Sequence, residues 1–268
     1  MKPRILILHA TGTNRDREAA LAFELAGGAP EIVHLNRLAA GERSLSDYQV
    51  LALPGGFSYG DDLGAGKLWA VMLRHQLGEQ IQAFVESGRP VIGICNGFQV
   101  LVKAGLLPGL ATPDGSETQL ATLTRNDSAR FECRWVYLQP QLASPSIWTA
   151  GLDEPIYCPV AHGEGKFVAR DATTLAAIER AGLVALRYAS TPEAAEAVTT
   201  SDVVYPWNPN GSQNGIAGIC NASGTILGLM PHPEDHILPQ QHPRVHRGER
   251  GLLGLPLFIN GVRYAAQL

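Results

Sequence analysis

Short, uniformly apolar runs separated by longer stretches of helical spacing dominate the first hundred positions. Residues 4–9, built on Ile5-Leu6-Ile7-Leu8, predict a buried strand. A polar loop over 10–14 leads into a helix ending near Leu25, and residues 31–35 predict a second strand. Residues 49–53 make a third apolar run, closed by Pro54-Gly55-Gly56, and a helix is expected over about 67–86. A fourth run, Pro90-Val91-Ile92-Gly93-Ile94, precedes helical spacing over 98–106. Strands that are apolar on both faces and alternate with helices indicate a parallel sheet covered on both sides. The fold class predicted is α/β: a three-layer, mostly parallel, doubly wound sheet of flavodoxin-like type.

The second half is richer in strands. Candidates are 120–124, 129–138, 156–160, 184–188, 215–220 and 225–230. An alanine-rich stretch over 172–181 predicts a helix with Asp171 at its N-cap. Residues 235–254 are polar and interrupted by Pro and Gly, and 255–266 predict a closing helix. With no repeat, low-complexity tract or clear linker, the expectation is one domain over 1–268, with 236–268 a C-terminal extension packed on it.

Bulk properties narrow the class. A hydrophobic fraction of 45% and a charged fraction of 17% suit a soluble protein with a sizeable core. A net charge of −4 gives no support for nucleic-acid or anionic-membrane partners. No apolar segment approaches the ~20 residues that span a bilayer, and no signal-peptide core follows Met1, so a cytoplasmic location is expected. Cys95, Cys133, Cys158 and Cys220 lack CxxC spacing, which speaks against zinc and a disulfide framework. No metal site is expected, and Cys133, Cys158 and Cys220 read as packing residues.

Cys95 is different. Gly93-Ile94-Cys95-Asn96-Gly97 joins an apolar strand to a helix, the arrangement of a nucleophile elbow with Cys in place of Ser. The start of a helix favours the thiolate. The Asn96 amide, next after the nucleophile, points toward an oxyanion on the attacked carbon. The turn Gly55-Gly56-Phe57, ending the neighbouring strand, offers further amides. Far downstream, Pro231-His232-Pro233-Glu234 ends another apolar run. It places a carboxylate where it can orient an imidazole. Cys95, His232 and Glu234 are thus the candidate triad of a covalent acyl-transfer site.

These words resemble the class I, triad-type glutamine amidotransferase family, with Gly93-Ile94-Cys95-Asn96-Gly97-Phe98-Gln99 and His232-Pro233-Glu234 carrying the likeness. Three further segments resemble one branch, the glutaminase subunits of phosphoribosylformylglycinamidine synthases. They are Pro54-Gly-Gly-Phe-Ser-Tyr-Gly-Asp-Asp62, Ala161-His-Gly-Glu-Gly-Lys-Phe167 and Asn208-Pro-Asn-Gly-Ser212. The likeness runs from Ile5 to about His236.

The resemblance implies that L-glutamine is hydrolysed through a Cys95 thioester. Asn96, Gly55, Gly56 and Phe57 would form the oxyanion hole, and Gln99, His162, Asn210, Gly211 and Ser212 would contact substrate. It also implies a separate large synthase subunit that uses ATP and Mg to make formylglycinamidine ribonucleotide in purine biosynthesis, with a small third subunit as a further partner. The chain itself has no P-loop and needs no cofactor of its own. Asp61 and Asp62 read as solvated capping residues rather than a metal pair. Other readings remain open: an amidotransferase of another pathway, a self-contained γ-glutamyl cysteine hydrolase, or a silent assembly subunit.

Overall fold

The computed structural model describes residues 2–110, 119–191 and 203–268. Its centre is a nine-stranded sheet in the order β2-β1-β3-β4-β11-β10-β9-β6-β7. The strands are β1 (Arg4–His9), β2 (Ala29–His34), β3 (Val50–Leu53), β4 (Val91–Ile94), β6 (Glu132–Pro140), β7 (Ile156–His162), β9 (Val184–Ala189), β10 (Ile216–Cys220) and β11 (Ile226–Leu229). From β2 to β11 every pairing is parallel. From β11 to β7 every pairing is antiparallel. Alternation returns β9 and β7 to the direction of the parallel set, so seven of the nine strands, all but β10 and β6, point the same way. A separate antiparallel pair joins β5 (Ala121–Thr124) to β8 (Lys166–Ala169).

The helices are α1 (Asp16–Leu25), α2 (Leu35–Ala39), α3 (Lys67–Glu86), α4 (Asn96–Lys103), α5 (Ala172–Arg180) and α6 (Leu255–Ala265). Strands β3 and β4 are buried throughout, as their continuous apolar runs require. The Asp171 carboxylate accepts the Thr174 amide at 2.7 Å, capping α5. Some boundaries depart from the sequence reading. Leu35 opens a helix instead of ending a strand, because the His34 ring nitrogen accepts the Asn36 amide at 3.1 Å. The strand expected from residue 129 starts at Glu132, since Ala129 (φ 53°) lies in a turn.

The segment after Glu234 packs against both halves of the sheet. The α6 residues Leu257 and Phe258 are fully buried, each worth roughly 2 kcal/mol. Phe258 meets Phe23 of α1 edge-on at 5.2 Å. Asn260 donates to the Trp148 and Ala150 carbonyls at 3.1 and 2.9 Å. At the outer edge of the sheet, the β7 amide of Tyr157 donates to the Leu252 carbonyl at 2.8 Å.

Candidate active site

The elbow between β4 and α4 is forced by the closeness of its neighbours. A Cβ on Gly97 would lie 2.0 Å from the Leu53 carbonyl oxygen, and one on Gly93 would lie 2.6 Å from the Gly97 oxygen. Cys95 between them takes φ 51°, ψ −105°, a conformation L residues rarely adopt. Its amide donates to the Leu229 oxygen of β11 at 2.8 Å, and its carbonyl accepts the Gln99 amide at 3.1 Å. The side chain therefore stands at the C-terminal ends of β3, β4 and β11, where doubly wound sheets bind ligands.

His232 follows β11, and its amide donates to the Pro159 carbonyl of β7 at 2.8 Å. Its ring Nδ1 is 2.7 Å from Glu234 Oε1, both side chains being buried. A one-turn helix over Pro233–Asp235, not extended backbone, brings the carboxylate back to the ring. Burial alone would push this imidazole down. The Glu234 carboxylate and the charge and hydrogen bond of Cys95 outweigh it and hold His232 well above its ordinary value. With Nδ1 committed to Glu234, Nε2 is the nitrogen left for the sulfur. The Cys95 sulfur also lies 3.8 Å from the Ala161 carbonyl oxygen at the end of β7.

The four sequence-nominated oxyanion donors do not share one state. The Phe57 amide is committed to the Gly12 oxygen at 3.0 Å, and the Gly55 carbonyl accepts the Asn14 and Arg15 amides at 3.3 Å each. The same clasp leaves the Gly56 amide without an acceptor among the described residues. Gly55, Gly56 and Asn96 thus keep amides without a backbone acceptor among the described residues, and Phe57 does not. Gly55 also touches the His232 ring: a Cβ there would lie 2.6 Å from His232 Cε1.

Gln99 is buried, one turn into α4. It accepts from Asn96 Nδ2 at 2.9 Å and donates to the Glu164 carbonyl at 2.7 Å. His162 is also buried, and burial together with the His232 charge lowers it to about 3, so it stays neutral beside the His232 imidazole. Asn210 and Ser212 sit behind the His162–Gly165 turn. Asn210 Nδ2 donates to the Gly165 oxygen at 2.9 Å and meets His162 Nε2 at 3.4 Å, while Ser212 Oγ accepts the Phe167 amide at 2.9 Å. Gly211 (φ 77°) packs against Asp127. Asn210 and Ser212 thereby brace the turn that carries His162 and Glu164.

Several participants carry no readable signal in the sequence. The Ala161 and Pro159 carbonyls act through backbone, which any residue supplies. Asp61 departs from the solvated reading: it accepts from Asn96 Nδ2 at 3.3 Å, and burial, with the nearby Glu164 charge, raises it to about 6. Its place in the Ser58-Tyr59-Gly60-Asp61-Asp62 word was the available cue. Asp235, next to the triad, is raised to about 6 by burial and the Glu234 charge, against the opposing pull of His232 and Arg15.

Residues 2–265 match the CobB/CobQ-like glutamine amidotransferase domain family. The chain belongs to that family. Among amidotransferases of known name, the phosphoribosylformylglycinamidine synthase subunit PurQ of Treponema denticola is 49% identical, covering 98% of this chain and 99% of its own. Its namesake from Dehalococcoides mccartyi is 45% identical, with 100% and 99% covered. Among solved structures, a chain of PurLQS from Thermotoga maritima superimposes with a TM-score of 0.71 at 33% identity, covering 98% of this amidotransferase and 99% of that chain. A further glutamine amidotransferase from Thermotoga maritima shares the fold at 15% identity, with a TM-score of 0.52 and 98% and 97% covered. Among the described residues, no helix of this amidotransferase is long and apolar enough to cross a membrane.

Proposed function

We propose that this chain is the glutaminase subunit of a phosphoribosylformylglycinamidine synthase, with Cys95, His232 and Glu234 as its catalytic residues. The observation that carries the chemistry is the buried His232–Glu234 pair at 2.7 Å, with the Cys95 sulfur acting on the same ring from a strained elbow. Near-full-length identity to proteins named as that subunit carries the pathway.

In the proposed reaction the Cys95 thiolate attacks the side-chain amide carbon of glutamine, forming the C–S bond. The negative charge that develops on the amide oxygen falls to the Gly56 and Asn96 amides. Protonated His232 gives its proton to the amide nitrogen as the C–N bond breaks, releasing ammonia. The neutral ring then takes a proton from water, which attacks the γ-glutamyl thioester. Collapse returns the proton to sulfur and frees glutamate. Glu234 keeps the ring oriented and stabilises its charged form through both halves. Neutral His162 adds no competing positive charge.

Ammonia passes to a synthase subunit that binds ATP and Mg, in a cytoplasmic complex that has a small third subunit as a further member. The test is glutamate release from glutamine by the purified chain, alone and with a synthase subunit, ATP and formylglycinamide ribonucleotide. Strong stimulation, lost in Cys95→Ala, is expected. Full activity without the partner would move the reading to a self-contained hydrolase.

A further inference from the structure

The loop between β3 and α3 is an unusual piece of backbone. Tyr59, Asp61 and Leu63 all have φ between 53° and 61°, and Gly60, Gly64 and Gly66 are also positive. Such conformations persist only where surrounding groups hold them. The Ser58 amide donates to Asn96 Oδ1 at 3.3 Å, and Asp61 accepts from Asn96 Nδ2. The hold on Ala65 is stronger, because both faces of that buried residue's backbone meet a charged side chain. Its amide donates to Glu164 Oε2 at 3.1 Å, and its carbonyl accepts from the Lys103 ammonium.

These two side chains come from opposite walls of the site. Lys103 ends α4, the helix that begins at the elbow, and Glu164 lies in the turn between β7 and β8. Immediately after Ala65, Gly66 comes so close to α4 that an added Cβ would meet Gln99 Cβ at 3.0 Å. On its other flank, Gln99 donates to the Glu164 carbonyl. We propose that Glu164 and Lys103 clamp the Ala65 backbone from its two sides and so position Gln99 for glutamine, making them positioning residues of the substrate half-site. The inference rests on the reading of Gln99 as a glutamine contact.

The charges suit this task. Burial disfavours the Lys103 ammonium, and the Glu164 and Asp61 carboxylates oppose that, with Lys67 the like charge nearby. Charge-assisted hydrogen bonds are about twice as strong as neutral ones, so removing either charge loosens the same residue's backbone. Lys103 also lines a cavity of about 810 Å³ between α3 and the chain that follows α4, so removing its ammonium opens no void in packed core.

The test is steady-state glutamine kinetics of the complex with its synthase subunit, for Lys103→Met, Glu164→Gln, their combination, Lys103→Arg and Gln99→Ala. Each single clamp variant is expected to raise KM for glutamine about tenfold with kcat within about threefold, the pattern of lost ground-state positioning. The double variant should be no more than about twofold worse than the worse single, since both act on the backbone of one residue. Lys103→Arg should restore KM to within about twofold, and ammonia-dependent synthesis should be unchanged throughout. Unchanged KM in folded Lys103→Met and Glu164→Gln, beside a raised KM in Gln99→Ala, overturns the clamp and leaves the Gln99 reading intact. Unchanged KM in Gln99→Ala overturns both. Additive losses, or equal loss of ammonia-dependent activity, also overturn the clamp. If Glu164→Gln fails to fold, Lys103→Met against Lys103→Arg decides alone.

Discussion

The two halves of the sheet contribute to the site in different chemical forms. The parallel half ends in short loops that deliver reactive side chains: Cys95 after β4, and His232 and Glu234 after β11. The antiparallel half delivers mainly backbone. The Ala161 oxygen lies by the sulfur, the Pro159 oxygen holds the His232 amide, and the Glu164 oxygen holds Gln99. A parallel strand ends where its helix begins, so one residue type at that corner decides the chemistry. A hairpin edge can instead run carbonyls along the site with little demand on side-chain identity. The division teaches that one half sets what the site does, and the other sets how firmly it is held.

Substitutions sharpen that contrast. The largest expected effect is at Cys95: Cys95→Ala should lower glutamine-dependent synthesis at least about 10³-fold and leave ammonia-dependent synthesis intact. Parallel loss of both activities, measured on one complex, would argue that Cys95 serves assembly. Next comes Gly55→Ala, whose new methyl would sit 2.6 Å from the His232 ring. Displacing His232 should cost about 10²-fold in kcat, with the melting temperature within a few degrees of the parent. A variant of normal kcat would show that the ring has room to move.

On the antiparallel side the effects should be smaller and should fall partly on stability. Asn210→Ala removes bonds to Gly165, Tyr188 and Ser212. Leaving those buried groups unpaired should destabilise the chain by about 2 kcal/mol and reduce kcat/KM by about tenfold through the His162 turn. Denaturant melts and kinetics on one preparation separate the two. Activity lost with full stability retained would instead make Asn210 a direct substrate contact.

The smallest effect concerns pH. Asp235 is raised from 3.8 to about 6 in the folded chain. Its contribution is fully present below about pH 4 and is lost as pH rises through about 6. Asp235→Asn should remove that slope, on the order of 1 kcal/mol after allowing for solvent screening. A stability gap between variant and parent that is the same at pH 4 and pH 7 would falsify the assignment.

The same contrast explains what could be read from the sequence. Strands β1, β3 and β4 and helix α3 were legible because burial on both faces writes an unbroken apolar run, and α3 keeps its expected bounds of 67–86. Cys95, His232 and Glu234 were legible as a candidate triad because thiol, imidazole and carboxylate are rare at strand ends. The order of the antiparallel strands was not, since pairing among β6, β7, β9 and β10 is set by long-range contacts. Nor was β8, a four-residue strand whose partner β5 lies more than forty positions earlier. The Phe57 amide looked available as part of a Gly-rich turn, and only the clasp to Gly12 shows that it is committed. Asn210 and Ser212 were found by their motif, but whether such side chains face a ligand or brace a turn depends on which wall lies behind them.

The elbow has one more consequence, for how the protein ages over generations. Cys95 keeps a backbone conformation suited to glycine, a strain of about 1–3 kcal/mol. Replacing it with glycine should raise the melting temperature while ending glutamine turnover. Where external ammonia is plentiful enough to make the thiol dispensable, selection for folding alone would favour its loss. Retention of the cysteine would then mark a lineage in which free ammonia is too scarce to replace the amide nitrogen of glutamine.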